Sequence, residues 1–128
     1  MNTEQLTKLR RMENMPEGGI NSVEGLSMIA KQFLRPDFKM AEIGSFEGIS
    51  TLLFSKFVDT VYSIDYYDYK VPETGRIPEH DLSFQVAEKI FLERTKDVKN
   101  IIKIRKKSME AVNYFPDRFL DAVYIDGE

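Results

Sequence analysis

The chain has 128 residues and a formal net charge of −3, with 18 basic and 21 acidic side chains. This length fits one domain, 1–128, in which residues 1–17 form an N-terminal helix or arm. Because there is no basic excess, bulk electrostatics argue against nucleic acid as a partner.

Cysteine is absent and there is a single histidine, which excludes disulfides and a structural zinc site, so no metal is expected. No apolar run approaches the length of a membrane span, and residues 1–11 lack the apolar core of a signal peptide. We therefore expect a cytoplasmic protein that has no membrane partner.

Two helices are predicted before the first strand. Apolar residues at helical spacing over residues 3–13 fit either a helix that packs on the protein or a loosely attached arm. The capping-box pattern of Asn21 and Glu24 predicts a helix over 22–34, which must end before Pro36.

A strand, a tight loop and a helix are predicted next. An apolar run ends in Glu42, Gly44 and Gly48 follow, and a helical pattern begins behind Ser50. The glycines let the backbone turn sharply and approach a ligand, and the free N–H groups of the helix face the same space. The loop has neither the full G-x-G-x-x-G pattern nor G-K-[ST], so it predicts neither a classical dinucleotide site nor a P-loop. A turn that serves packing alone is the alternative.

The second predicted strand, 59–65, ends in an acid at the position where open α/β sheets place a ribose-binding carboxylate. This acid is Asp65, and a residue that only closes the strand is the alternative. The segment Tyr66 to His80 then holds three tyrosines and several acids. A loop of this length in a small domain indicates a function.

The remaining elements alternate in type. They are a helix over 81–98, a strand over 101–105, a short helix over 108–114 and a strand over 119–125. Basic residues on the third strand indicate the edge of a sheet. The alternation predicts parallel strands that are joined by right-handed crossovers and covered by helices on both faces.

Three stretches carry a family resemblance: E-I-G-S-F-E-G-I-S-T from Glu42, V-Y-S-I-D ending at Asp65, and L-D-A-V-Y-I-D-G from Leu120. In this order they resemble the class I S-adenosylmethionine-dependent methyltransferases, over residues 20–127. The resemblance implies an α/β, Rossmann-like methyltransferase fold, truncated after strand 4. Its mainly parallel sheet would have four strands in the order 3-2-1-4, and ligands would bind at the carboxyl ends of strands 1 and 2.

The resemblance also implies a place for S-adenosylmethionine. Asp65 would bind the ribose hydroxyls, and Asp126 would lie near the sulfonium. Ser108 and Met109 would contact the adenine, with ordinary core packing as the alternative for Met109 and an Asp-Gly turn as the alternative for Asp126. The residues expected along the methionine part are Glu42, Gly44, Ser45 and Gly48.

Methyltransferases of this fold normally continue past strand 4, and this chain ends at Glu128. In this respect it resembles the phage-encoded S-adenosylmethionine lyases. These enzymes would use S-adenosylmethionine as the substrate, whose own carboxylate attacks the γ-carbon and gives homoserine lactone and methylthioadenosine. Such a reaction depends chiefly on orientation.

We expect Tyr62 and Glu73 to act in this lyase reaction, because aromatic faces tolerate a sulfonium and an acid can hold the ammonium. A buried strand tyrosine and an exposed loop acid are the respective alternatives. A methyltransferase, whole or a fragment, and a non-catalytic cofactor-binding module are the alternative functions.

The last strand predicts assembly. An apolar strand such as 119–125 at the edge of a sheet is rarely left open, so a homo-oligomer is expected. The resemblance to the lyases favours a trimer and, for a phage-encoded protein, the host cytoplasm.

Overall fold

The structure is a computed structural model that describes residues 2–6, 22–68 and 82–126. Strands and helices alternate along it, as the sequence predicts. The elements are α1 (Ser22–Phe33), β1 (Lys39–Ile43), α2 (Ile49–Ser55), β2 (Thr60–Ile64), α3 (Leu82–Thr95), β3 (Ile101–Ile104), α4 (Ser108–Ala111), a 3-10 turn (Val112–Tyr114) and β4 (Ala122–Ile125).

The four strands form one parallel sheet in the order β3-β2-β1-β4, which confirms the predicted order. Ala41 of β1 pairs with Tyr62 of β2 on one side and Val123 of β4 on the other. The loop behind β1 is tied to both neighbours, since Gly44 donates its N–H to Ile64 O and Asp126 donates to Ile43 O. The carboxyl ends of the three strands therefore meet at one edge of the sheet.

The sheet is covered on both faces, and β1 shows how the faces divide. Met40 packs with α1 and α2 in a cluster that includes Phe54 and Val61. Its neighbour Ala41 points to the opposite face, where it packs with Tyr62. This period of two is the usual geometry of a strand.

The N-terminal segment contacts the core. Residues 3–6 are helical, and Leu6 is fully buried against Val23 and Leu53. At Leu6, therefore, the N-terminal segment packs on the rest of the protein. The rest of the predicted helix over 3–13 lies outside the described residues.

The last strand is shorter than the predicted 119–125. Arg118 has a φ of 60°, in the left-handed region, so the chain changes direction before the strand begins. Phe119 and Leu120 pack against the cluster around Tyr62. Pairing with β1 starts where Asp121 donates its N–H to Lys39 O at 2.8 Å.

The two edges of the sheet differ in character. β3 carries Lys103 and lies at one edge, as its basic residues predict. β4 forms the other edge, where Val123 and Ile125 are 53% and 70% exposed. Among the described residues, no helix is long and apolar enough to cross a membrane.

Candidate functional site

Two cavities open at the carboxyl edge of the sheet. The first, of about 640 Å³, lies between α1, the loop behind β1 and the end of β4, and we call it the α1 cavity. The second, of about 820 Å³, lies between the ends of β1, β2 and β3, and we call it the β2 cavity. Gly44, Phe46 and Asp126 line both of them. One extended ligand can therefore occupy the two cavities together.

The loop between the cavities has an unusual backbone. Gly44 and Gly48 have φ values of 93° and 84°, in the left-handed region that suits glycine. Between them, Phe46 has a φ of 44°, which is uncommon for a side chain of its size. Phe46 is 47% exposed. The loop therefore presents an aromatic ring at the boundary of the two cavities.

Gly48 is required for packing as well as for its backbone angle. A Cβ at this position would lie 2.8 Å from Cδ2 of Phe91 on α3. Gly48 also donates its N–H to Ser45 O at 2.8 Å, which closes the turn. Gly48 lines neither cavity, so this predicted binding residue supports the shape of the loop.

Asp65 lines the β2 cavity and also holds the loop. Its Oδ2 accepts the N–H of Phe46 at 2.9 Å, and its Oδ1 accepts the N–H of Tyr67 at 2.8 Å. Each carboxylate oxygen has a further lone pair, so hydroxyls of a ligand can still bind. Asp65 thus has the position that the ribose prediction needs, together with a structural role.

Glu42 lies beneath the loop. It is fully buried, Thr51 donates a hydrogen bond to its Oε1, and its Oε2 has no hydrogen-bond partner in the described structure. Burial raises the pKa of Glu42 to about 7, although the hydroxyls of Ser50 and Thr51 lower it and the charges of Asp126 and Asp65 raise it. Glu42 lines neither cavity, so it lies behind the predicted methionine position.

The residues that were predicted to bind the adenine line the β2 cavity. Ser108 and Met109 follow β3 there, with Lys107 before them and Phe84 on the facing helix. Met109 is 81% exposed, so it does not pack in the core. Its thioether is free to contact a flat apolar ring.

Two further predicted residues, Asp126 and Ser45, follow the ends of β4 and β1. Asp126 lines both cavities, and Ser45 is buried to 4% exposure at the wall of the α1 cavity. They flank the region where the cavities meet. A ligand in both cavities would pass between Asp126 and the loop.

Tyr62 was predicted to be catalytic, and the structure places it in an aromatic cluster. Its ring packs edge to face on Phe115 and Phe119, at centroid distances of 5.1 and 5.6 Å. Burial raises its pKa, and it lines neither cavity. This position matches the alternative of a buried strand tyrosine. Glu73 lies outside the described residues.

No group of three or more histidine, cysteine, aspartate or glutamate side chains within residues 2–6, 22–68 and 82–126 is arranged to hold a metal ion.

Comparisons with known proteins identify the fold. No protein-family model and no curated protein matches the chain. Several solved structures do match the chain. They include the O-methyltransferase TomG of Streptomyces achromogenes in complex with S-adenosylmethionine (TM-score 0.56, 14% identity, 98% of this chain and 52% of that one). They also include a precorrin-6y C5,15-methyltransferase of Geobacter metallireducens (0.57, 14%, 89% and 53%) and an rRNA methylase of Streptococcus thermophilus (0.54, 13%, 80% and 48%).

The chain has the Rossmann-like methyltransferase fold. It spans about half the length of these three proteins. At these identities the likeness shows the fold alone.

The structure adds three residues to the site that sequence reasoning missed. Ser50 lines the α1 cavity, although the sequence marks it only as the start of a helix. Phe46 and Tyr67 line the β2 cavity, and both have positive φ values that no sequence pattern predicts. For Ser50 a signal exists, because it lies two residues after Gly48 in the first turn of α2, where N–H groups are free.

Proposed function

We propose that the protein binds S-adenosylmethionine across the two cavities and transfers its methyl group to an acceptor. The adenosine would lie in the β2 cavity, with Asp65 at the ribose and Met109 at the adenine. The methionine part would extend into the α1 cavity past Gly44 and Asp126. The observation that carries this proposal is that the two cavities share one boundary at the carboxyl edge of the sheet.

The charges along this path suit a cationic ligand. Asp65 lines one end of the path, Asp126 the boundary and Glu47 the α1 cavity. Carboxylates at these positions attract a sulfonium and an ammonium. Glu47 is oriented by Arg94, whose Nη1 lies 3.3 Å from its Oε2.

In the proposed reaction, a nucleophile on the acceptor forms a bond to the methyl carbon as the carbon–sulfur bond breaks, and S-adenosylhomocysteine leaves. The transferred group is already activated, so the protein chiefly has to orient the two reactants. Part of the wall of the α1 cavity is apolar and is formed by residues that include Leu26, Ile29 and Tyr124. This part of the wall would exclude water from one side of the reacting atoms.

Cleavage of S-adenosylmethionine by its own carboxylate uses the same binding path. Its predicted catalytic residues give it less support, because Tyr62 packs in the aromatic cluster. The structures of similar fold that are named as methyltransferases also favour methyl transfer. We therefore place the lyase reaction second.

Two measurements test the proposal. Calorimetric titration with S-adenosylmethionine and with S-adenosylhomocysteine should show saturable binding of each, and absence of binding would refute the proposal. Incubation with S-adenosylmethionine alone, followed by mass spectrometry, separates the two reactions. Intact ligand excludes the lyase and leaves methyl transfer or binding alone, whereas methylthioadenosine and homoserine lactone, formed faster than in buffer, would establish the lyase. In that case Glu73→Gln should lower turnover more than binding.

We also propose that the β4 edge joins copies of the chain into a closed homo-oligomer, with a trimer as the expected size. Ile125 is 70% exposed on this edge strand. Light scattering during gel filtration should give about three times the monomer mass. Ile125→Lys should lower this mass, whereas Met28→Lys, at a position 72% exposed on α1, should not. A monomeric wild type would refute the proposal.

A further inference from the structure

A buried chain of three hydroxyls connects Glu42 to the wall of the α1 cavity. Thr51 donates a hydrogen bond to Glu42, the hydroxyl oxygens of Thr51 and Ser63 are 3.2 Å apart, and Ser63 donates a hydrogen bond to Ser45. All four residues are buried, with exposures between 0 and 4%. Ser45 ends the chain and lines the α1 cavity. The three hydroxyls thus connect the carboxyl group to the α1 cavity, in addition to the hydroxyl of Ser50, which acts on Glu42 and lines the same cavity.

The number of hydrogens restricts how this chain can be bonded. Each hydroxyl has one hydrogen, so three hydroxyls supply three. If Glu42 is ionised, it only accepts, and a complete chain requires every hydroxyl to donate towards it. The hydroxyls of Ser63 and Ser45 must then rotate from their arrangement in the structure, so that Ser45 donates to Ser63 and presents only lone pairs to the cavity. If Glu42 is protonated, its own hydrogen can bond Thr51, the next two hydroxyls donate outward, and the hydrogen of Ser45 points to the cavity.

We propose that Glu42 is a positioning residue whose proton sets the direction of this relay, so that the hydrogen of Ser45 faces the ligand when Glu42 is protonated and only lone pairs of Ser45 face it when Glu42 is ionised. This inference rests on the proposed function, because the ligand that supplies the hydrogen bond is the ammonium of S-adenosylmethionine. The proton that Glu42 gives up on binding passes to the solvent.

The groups around Glu42 set the sign of the effect. Asp65 and Asp126 oppose its ionisation, whereas the hydroxyls of Ser50 and Thr51 favour it. Tyr67 and Tyr124 also face it, and burial raises the pKa of each, so both are neutral. With no cation among these neighbours, a cationic ligand in the α1 cavity is the group that would stabilise the ionised form. Ligand affinity should therefore rise with pH.

The experiment measures the dissociation constant of S-adenosylmethionine by calorimetry from pH 6 to pH 8. With the pKa of Glu42 at about 7, binding that requires the ionised form should be about tenfold tighter at pH 8 than at pH 6. Glu42→Gln keeps the shape and cannot ionise, so its affinity should change less over this range. Titrations in two buffers of different ionisation enthalpy should show proton release by the wild type and less release by Glu42→Gln.

Ser45→Ala tests the relay itself. It keeps Glu42 and removes the hydroxyl that contacts the cavity, so the pH dependence should fall to that of Glu42→Gln. Ser63→Ala interrupts the chain one step further back and should give the same result, which keeps the test available if Glu42→Gln fails to fold. Circular dichroism at each pH checks the fold of every variant.

Two results would overturn the inference. Equal pH profiles for the wild type and Glu42→Gln would show that Glu42 does not titrate with binding. A full pH dependence in both Ser45→Ala and Ser63→Ala would show that Glu42 acts through its charge or through Ser50 and not through the relay of Ser63 and Ser45. Both results require that S-adenosylmethionine binds, whereas absence of binding at every pH refutes the proposed function instead.

Discussion

Asp65 holds the backbone of Phe46 through a hydrogen bond of 2.9 Å between the Phe46 N–H and its Oδ2. The other oxygen accepts the N–H of Tyr67, and the hydroxyl of Tyr67 donates to Phe46 O at 2.5 Å. These three bonds form a closed set that joins the end of β2 to the loop behind β1. The acid at the predicted ribose position therefore also shapes the loop between the cavities.

Asp65→Ala should weaken the binding of S-adenosylmethionine at least tenfold, because it removes a ligand acceptor and two supports of the loop. It should also lower the free energy of unfolding by about 1–3 kcal/mol, since two backbone N–H groups lose their partner. Calorimetry and urea denaturation measure the two effects. Asp97→Ala removes an exposed acid that lines neither cavity and serves as the control. Unchanged affinity in Asp65→Ala would rule out the ribose assignment.

Gly48→Ala should destabilise the protein by about 1–3 kcal/mol, because alanine is strained at a φ of 84° and its Cβ would meet Phe91. Gly25→Ala is the matched control, since a Cβ there has nothing within 4 Å. Alanine is the better helix former, so this change in α1 should stabilise by up to about 1 kcal/mol. Thermal unfolding of the two variants should move in opposite directions. A stable Gly48→Ala would contradict the close packing on Phe91.

Glu42 should make stability depend on pH. Burial raises its pKa from 4.5 to about 7 in the folded protein. Its contribution is therefore fully present below pH 4.5 and is lost as pH rises through 7, because the folded state binds more protons than the unfolded state in this window. The loss amounts to about 3 kcal/mol between the two limits. Urea denaturation at pH 5 and pH 8 measures it, and Glu42→Gln should reduce the difference. An identical difference in the variant would assign the effect to other groups.

Arg94→Met should loosen the attachment of α3 to the loop. Arg94 lies 3.3 Å from Oε2 of Glu47 and also donates to Glu47 O, and the two side chains are only 14% and 20% exposed. Leaving Glu47 without this partner should cost about 1–3 kcal/mol of unfolding free energy.

Lys96→Met is the control for Arg94→Met, because the ion pair of Lys96 with Glu93 is mostly exposed and should contribute nothing measurable. Chemical denaturation compares the two variants. Equal stability would show that the pair of Arg94 and Glu47 is as weak as a surface pair.

The positions of most elements follow from local patterns. Gly44 and Gly48 behind an apolar run predict the turn after β1, and the capping-box pattern of Asn21 and Glu24 places α1 within one residue of its bounds in the structure. The predicted strand order also holds, but it depends on the resemblance and not on the spacing of the strands. Periodicity and turn chemistry act between near neighbours, so a single sequence is enough to show them.

Several features of the site depended on contacts between distant residues. Ser45 and Ser63 are 18 positions apart and meet only because β1 and β2 are adjacent in the sheet. Tyr62 packs on Phe115 and Phe119, which follow it by more than 50 residues, and it lines neither cavity. Patterns of neighbouring residues in the sequence do not predict such long-range contacts.

The sequence by itself thus determined the alternation of strands and helices, the glycine loop and the acids that follow the strands. Only the tertiary structure decided that Glu42 is buried behind the loop and that Asp65 shapes it. The physical reason is that burial, hydrogen bonding and the pKa of a carboxyl group depend on the atoms that surround it in space. Those atoms come from β1, α2, β2 and β4 together.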